Sequence, residues 1–361
     1  MRLSSIATAL CMAASAALAG AAPPAPRAPA AASASRVPFV RGLTVVRATS
    51  DPRGDFESLR VVDAISPAGY RLVLSSEVPA DDGSGMVGID VVRVVRAEDQ
   101  AAARRMRLFF HTGDAEQFSG TVPGFSAAIL RDLRNTGRAS VTYLDVGALF
   151  GISMVRRELS GTIASREGAA RTTTMLVNVR RRRLPVIEAT GRLTDGSDAA
   201  EFSFQVLDDS ANPILLRARG PGFSSSVTRI EYPEPAASPR SIERQLASGR
   251  KAEVYGIYFA FARADLRPQS ETVLREIASA LKQHPDWTLR IDGHTDAIGE
   301  EAVNLDLSRR RAATVKSALV ERYDIAAERL ATGGFGESRP RDDNGTSEGR
   351  ALNRRVELTR P

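Results

Sequence analysis

Short runs in which apolar and polar residues alternate dominate the chain from about Val37 to Tyr232. A period of two is the mark of a half-buried strand. The runs predict strands at Leu43–Ala48, Ser58–Ile65, Tyr70–Ser75, Gly88–Val95, Met106–His111 and Ser140–Leu144. They predict six more at Ile152–Ile163, Thr173–Arg180, Val186–Leu193, Glu201–Leu207, Ile214–Ala218 and Val227–Tyr232. Turn chemistry separates the runs: Ser66 to Gly69 contains a proline and a glycine, and Thr194 to Ser197 reads as a hairpin turn. One stretch breaks the alternation. Ile129, Leu130 and Leu133 sit at helical spacing, which predicts a helix over Ser126–Asn135 with Gly137 at its stop. A dozen short strands and one helix predict a mostly-β domain of the β-sandwich kind.

Beyond residue 240 the period lengthens toward 3.6. Ser241–Ala247 reads as a short helix closed by Gly249, and Val254–Phe259 as an apolar strand. Pro268 opens a helix whose inner stripe is Val273, Leu274, Ile277, Ala280 and Leu281, and His284 and Pro285 end it. A strand at Thr288–Ile291, a helix at Asn304–Tyr323 and strands at Arg329–Phe335 and Arg354–Leu358 complete the pattern. Ala312, Val315, Leu319 and Val320 form the buried stripe of that last helix. The order predicts an α+β domain with helices packed on a mixed sheet. Glu231 to Pro239, with three prolines, divides the two patterns. The expected organisation is a β-rich domain at 37–232, a Pro-rich linker with a short helix at 233–250, and the α+β domain at 251–361.

The first residues change the picture. Arg2 precedes an apolar core from Ile6 to Leu18, too short to span a bilayer comfortably, and Ala17 and Ala19 carry the small side chains of a cleavage site. Residues 1–19 are therefore expected to be a signal peptide, with cleavage after Ala21 and an uncleaved anchor as the competing readings. Residues 20–36, nearly all Ala, Pro and Ser, form an expected flexible tether. The only cysteine, Cys11, follows Leu10, which is too large for a lipoprotein cleavage site, so the mature chain carries no thiol chemistry. A net charge of +6 and a pI near 9.9 favour anionic surroundings such as a carboxylate-rich cell wall or phosphorylated lipid. Nucleic acid is disfavoured by the export signal and by the lack of an aromatic–basic platform.

Candidate chemistry concentrates near the end of the chain. Gly293 permits a turn that ends at Asp296, just ahead of the long helix. Asn304, Ser308, Arg311 and Val315 fall at i, i+4, i+7 and i+11 and so share a helical face. A turn folded back along that face brings Asp296 and Arg311 together. One carboxylate and one guanidinium at fixed separation can clamp a zwitterion, the first taking an ammonium and the second a carboxylate. A purely structural ion pair is the competing reading. The three histidines, His111, His284 and His294, have no second ligand pair at metal-binding spacing, and His294 reads as a turn residue. No Gly-x-Ser-x-Gly elbow is present, and Asp81–Asp82 and Asp208–Asp209 read as turns, so no enzyme, metal or cofactor is expected. Arg180 to Arg183 reads as a solvated strand end, with an anion-binding patch as the alternative.

The ordered series from Arg290 through the turn Gly293–Asp296, Asn304, Leu307–Ala312, Arg329–Leu330, Gly334–Gly336, Pro340, Asn344–Thr346, Gly349–Arg350 and Asn353–Glu357 resembles the OmpA-like (OmpA/MotB C-terminal) peptidoglycan-binding domain family. The resemblance covers about residues 250–361. It implies that Asp296 and Arg311 hold meso-diaminopimelate of the peptidoglycan stem, that Thr295 and Asn304 orient the site, and that Gly293, His294 and Arg355 support it. It also implies a periplasmic envelope protein, binding cell wall at one end and an outer membrane or envelope partner through its β domain. An envelope enzyme and an outer-membrane β-barrel with a periplasmic anchor are the alternatives. The barrel is disfavoured by short strands with sparse aromatics and by Arg60, Arg71, Arg93 and Arg107 in mid-strand. One departure stands out: Ala260 and Ala262 occupy places where the family carries polar residues.

Overall fold

Alternating burial builds the first part of the chain into strands longer than their sequence runs. A computed structural model describes residues 36–361 apart from 53, 80–85, 110–118, 150–151, 179, 234–240 and 260–262. The signal segment, nearly all of the tether, most of the proline linker, His111, Asp81–Asp82, Ala260 and Ala262 lie outside the described residues. Strands β1 (Thr44–Asp51), β2 (Gly54–Ser66), β3 (Gly69–Pro79) and β4 (Met86–Arg96) form an antiparallel meander. Helix α1 (Ala97–Ala102) leads to the short parallel strands β5 (Arg105–Met106) and β6 (Thr121–Val122). Helix α2 (Ala127–Thr136) follows, where the sequence places one: the Ser126 hydroxyl caps it by accepting from Ile129 N–H at 3.2 Å, and Gly137 stops it at φ 69°.

Strands β7 (Arg138–Leu149) and β8 (Ile152–Ser165) make a long hairpin, followed by β9 (Thr172–Val177), β10 (Arg180–Thr194), β11 (Ala199–Leu207), β12 (Leu215–Gly220) and β13 (Phe223–Glu231). Hydrogen bonding runs without a break through all thirteen strands. Strands β9 to β13 also close a ring: β10 pairs β9, β11 and β12 follow in order, and β13 returns to β9 in parallel register at Arg229↔Leu176 and Ile230↔Val177. The strand-rich expectation holds, and the strands join in one hydrogen-bonded sheet, part of which is the closed five-strand barrel. The cause is the length of β10. Its first half, Arg180 to Pro185, pairs with β9, and its second half pairs with β8 and β11.

The run Thr173–Arg180, read as one strand, is strand β9 as far as Val177, after which the chain turns into β10. Asn178 adopts φ 44°, a left-handed conformation that asparagine tolerates better than most residues, and the chain reverses there. Arg180–Arg183 is accordingly the largely exposed start of β10, in keeping with the reading of a solvated strand end. Arg183 donates to the Thr172 hydroxyl at 2.9 Å, and Arg182 to the Tyr232 hydroxyl at 3.2 Å.

All five ring strands send aliphatic side chains into one cluster: Val177, Leu184, Leu207, Leu216 and Ile230 are buried there with neighbours from β1 to β4. A second cluster packs Ile129, Leu130 and Leu133 of α2 against Phe125, Phe202 and Phe204. The mid-strand arginines turn inward or pair locally. Arg60 Nη1 donates to Pro123 O at 3.0 Å, Arg93 Nη2 donates to Thr121 O at 3.0 Å, and Arg71 pairs with Asp63.

The remaining chain forms a second sheet in the order β14 (Ala252–Val254), β17 (Val356–Thr359), β15 (Leu289–Gly293), β16 (Leu330–Gly334). Only β15 and β16 run parallel, so the sheet is mixed as expected. Helices α3 (Ser241–Ala247), α4 (Glu271–Gln283) and α5 (Glu301–Tyr323) share its core through Leu246, Ile277, Leu281, Val315 and Leu319. Each such side chain contributes about 1.5–3 kcal/mol by leaving water. Two local expectations change. The apolar run Val254–Phe259 leaves the ladder after Val254, and Tyr258 is held instead by the buried Ser270 hydroxyl, which accepts from Tyr258 N–H at 2.8 Å and donates to Tyr258 O at 2.9 Å. A short helix, α6 (Ser347–Asn353), not foreseen from sequence, is capped by Thr346, whose hydroxyl accepts from Gly349 N–H at 3.0 Å.

Candidate functional site

Gly293 ends β15 where α5 comes closest. A Cβ at this position would lie 2.2 Å from the Ser308 carbonyl oxygen, so only glycine lets strand and helix touch. The turn beyond it is fixed from both sides: His294 N–H donates to Arg355 O at 3.0 Å, and Thr295 N–H to Gly336 O at 2.9 Å. Asn304 Nδ2 donates to Asp296 O, Ile298 O and Glu337 Oε2, at 3.2, 3.1 and 2.6 Å. Asn304 thus orients the loop with its own amide.

The helical face predicted from spacing is real: Asn304, Ser308, Arg311 and Val315 are all buried on α5. Asp296 and Arg311 line one cavity of about 360 Å³. They do not pair with each other. The Asp296 carboxylate is engaged by Arg354 Nη1 and also accepts from Ile298 N–H at 3.2 Å. Arg311 donates through Nε to Arg263 O at 3.0 Å and lies 5.0 Å from the centre of the Phe259 ring. No carboxylate pairs with Arg311 among the described residues, although the residue is only 9% exposed. Burial, reinforced by the neighbouring Arg354 cation, pushes its pKa down to about 10, so it is still charged at neutral pH. Burial also opposes the charge of Arg354, but Glu57 and Asp296 outweigh it and hold that pKa above the ordinary arginine value.

Thr295 brings a buried hydroxyl to the cavity, with no hydrogen-bond partner among the described residues. His294 is structural in its surroundings: its ring stacks 5.4 Å from Phe335, and Nε2 lies 3.3 Å from Glu357 Oε2. Arg355, expected as a supporting residue, spends its guanidinium on Glu357 at 2.7 Å, Asn353 O at 3.3 Å and Arg339 O at 3.1 Å. Burial raises the Glu357 pKa, but bonds from His294, Lys251 and Arg355 overcome it and hold the carboxyl well below its usual range.

The rest of the cavity wall comes from the other sheet. Asp55, Glu57, Glu77 and Arg229 face the site, and three of them pair across it: Asp55 with Arg350, Glu57 with Arg354 at 3.3 Å, and Glu77 with Arg267 at 3.4 Å. Among the described lining residues seven are arginines and four are carboxylates, so the wall carries an excess of positive charge. Sequence reasoning singled out Arg355 and missed its neighbour Arg354. Arg354 caps the end of α6 and Arg355 precedes β17, so neither sits in a strand whose alternation could have told the two apart. For Asp55 no signal existed, since it meets Arg350 across 295 residues of sequence. The arginine run contributes one long contact between the sheets, Arg181 to Asp342 at 3.8 Å.

Residues 258–354 match the model of the OmpA family. Over 101 residues the chain is 42% identical to outer membrane porin F of Pseudomonas aeruginosa, a stretch covering 28% of this chain and 29% of that protein. It is 43% identical over 95 residues to the peptidoglycan-binding protein ArfA of Mycobacterium bovis, covering 26% of this chain and 29% of ArfA. It is 38% identical over 103 residues to the probable lipoprotein YiaD of Escherichia coli, covering 28% of this chain and 47% of YiaD. Among solved structures, the peptidoglycan-associated lipoprotein of Burkholderia pseudomallei aligns with 28% identity and a TM-score of 0.28, over 29% of this chain and 88% of that one. The match therefore spans less than half the length of the three sequence relatives.

Proposed function

We propose that this chain, with an OmpA-family domain at residues 258–354, grips peptidoglycan without covalent chemistry and tethers the cell wall within the bacterial envelope. Arg311 takes a carboxylate of the stem peptide, and Asp296 takes the ammonium beside it, so that the zwitterionic end of diaminopimelate fills the cavity. The observation that carries this reading is Arg311 itself, a buried cation on a 360 Å³ cavity with no carboxylate of its own among the described residues. Leaving such a charge unpaired is costly, and a ligand carboxylate removes that cost. A similar segment in a protein named for peptidoglycan binding supports the same ligand class.

The reading includes no reaction: the pocket binds, and the cell-wall polymer leaves unchanged. In it the chain is exported to the periplasm, and the strand-rich sheet presents a second surface to the outer membrane or to an envelope partner. A transmembrane channel is the weaker alternative. Its lumen would be polar and its outer face apolar, whereas the five-strand ring packs Leu184, Leu207, Leu216 and Ile230 together in a buried cluster.

Co-sedimentation with diaminopimelate-type sacculi tests the proposal. The mature protein is expected to pellet with sacculi, and Asp296→Ala to reduce the bound fraction sharply, because truncating one member of a buried charged contact costs about 2–5 kcal/mol. Equal pelleting of both proteins, or of neither, overturns the assignment.

A further inference from the structure

Ion pairs join the two sheets over the cavity. The small buried cluster of Val46, Leu59 and Tyr258 is apolar. Around it stand the ion pairs Asp55–Arg350, Glu57–Arg354 and Glu77–Arg267, all reaching from β2 and β3 toward residues of the cavity wall. An interface of this kind separates more readily than a large hydrophobic one.

Glu57 is the least satisfied member of the set. Its Oε2 lies 3.3 Å from Arg354 Nη2, while its buried Oε1 makes no hydrogen bond among the described residues and lies 3.8 Å from Arg229 Nη1. It therefore places one carboxylate beside Arg354 and Arg229 on the cavity wall it shares with Arg311, which pairs with no carboxylate among the described residues, where the carboxylate of a stem peptide would arrive. We propose that Glu57 is a built-in stand-in for the ligand carboxylate. Ligand binding then displaces it from Arg354 and loosens β2 from the cavity wall, coupling cell-wall binding to separation of the two sheets. This rests on the peptidoglycan-binding reading above.

The coupling works in both directions, because any ligand that prefers the opened pocket must shift the chain toward that state. Arg354 has a second role in it. Once Glu57 leaves, Asp296 is the one carboxylate among the described residues that still pairs with Arg354, which can then meet the incoming carboxylate beside Arg311.

The test uses the mature full chain and the tripeptide L-Ala–γ-D-Glu–meso-diaminopimelate as probe. Affinity is measured for the wild type, Glu57→Gln and Arg311→Ala, and hydrogen exchange along β2 is followed in the wild type with and without probe. Glu57→Gln keeps the shape and removes the competing charge. It is expected to tighten binding by roughly five- to thirtyfold, the ratio equivalent to one weakened ion pair. Adding probe to the wild type is expected to speed exchange in β2. Affinity that is unchanged or weaker in Glu57→Gln, or exchange in β2 that slows on binding, overturns the stand-in role. If the wild type binds and Arg311→Ala does not, that result leaves the peptidoglycan reading intact. If neither the wild type nor Glu57→Gln binds the probe, the peptidoglycan reading itself fails, and the stand-in role fails with it.

Discussion

Arg311→Ala is expected to abolish measurable binding to sacculi while leaving the fold nearly as stable as the wild type. The two halves of this expectation come from the same geometry. In the free protein the guanidinium makes one hydrogen bond to Arg263 O and one face contact with Phe259, and it pairs with no carboxylate among the described residues. Those two contacts are worth about 1 kcal/mol each. Removing a buried cation whose pKa is already pushed down by burial returns a similar amount, so the net change in unfolding free energy should stay within about 1 kcal/mol. The bound state is different. There the guanidinium meets a carboxylate in a desolvated pocket, and its loss costs about 2–5 kcal/mol, or at least thirtyfold in affinity. Arg311→Lys should fall between, since an ammonium keeps the charge but not the two-pronged fork. Urea unfolding alongside co-sedimentation separates the halves. A variant that loses binding only because it unfolds, or one that still binds like the wild type, contradicts the assignment. Asp296→Ala is the less clean substitution, because it also strips Arg354 of one of its two carboxylates.

The second large effect is on stability. Gly293→Ala is expected to destabilise the C-terminal sheet by about 1–3 kcal/mol, the usual cost of forcing volume into a packed contact. The added methyl meets a backbone oxygen, Ser308 O, at 2.2 Å, and a backbone atom cannot swing aside as a side-chain tip can. Gly334, paired with Gly293 in the adjacent strand, is similarly constrained: a Cβ there would lie 2.5 Å from Arg309 N. Two neighbouring glycines thus let α5 lie flush on β15 and β16. Pushing α5 away would also move Arg311 relative to Asp296, so a lower urea midpoint should come with weaker binding. A midpoint equal to the wild type would show that helix and strand are not in contact here.

Much of this site was legible because it is local. The spacing of Asn304, Ser308, Arg311 and Val315 obeys the helical period, and burial on α5 follows it. Turn chemistry was equally readable. Gly137 takes a left-handed conformation at the end of α2, and the hairpin at Thr194–Ser197 is built by Asp195 Oδ1, which accepts from Ser197 N–H at 2.9 Å and Asp198 N–H at 2.8 Å. What could not be read is long-range. Closure of the ring needs the parallel pairing of β9 with β13, which leaves no periodic trace in either strand. The wall of the cavity needs Asp55 and Glu57 to meet Arg350 and Arg354, and acidic residues on a strand look the same whether they face solvent or a distant arginine. The expected Asp296–Arg311 proximity was therefore right about the cavity and incomplete about the pairing. Arg354 pairs with Asp296, and Arg311 donates to Arg263 O instead.

The most direct measurement is a titration of the mature protein with two stem tripeptides that differ at one position, diaminopimelate in one and lysine in the other. The two side chains share an ammonium and differ by the carboxylate that Arg311 is held to receive. The account predicts saturable binding of the diaminopimelate peptide, at least about tenfold weaker binding of the lysine peptide, and loss of that preference in Arg311→Ala. Equal affinity for both peptides in the wild type, or a preference that survives Arg311→Ala, would contradict it.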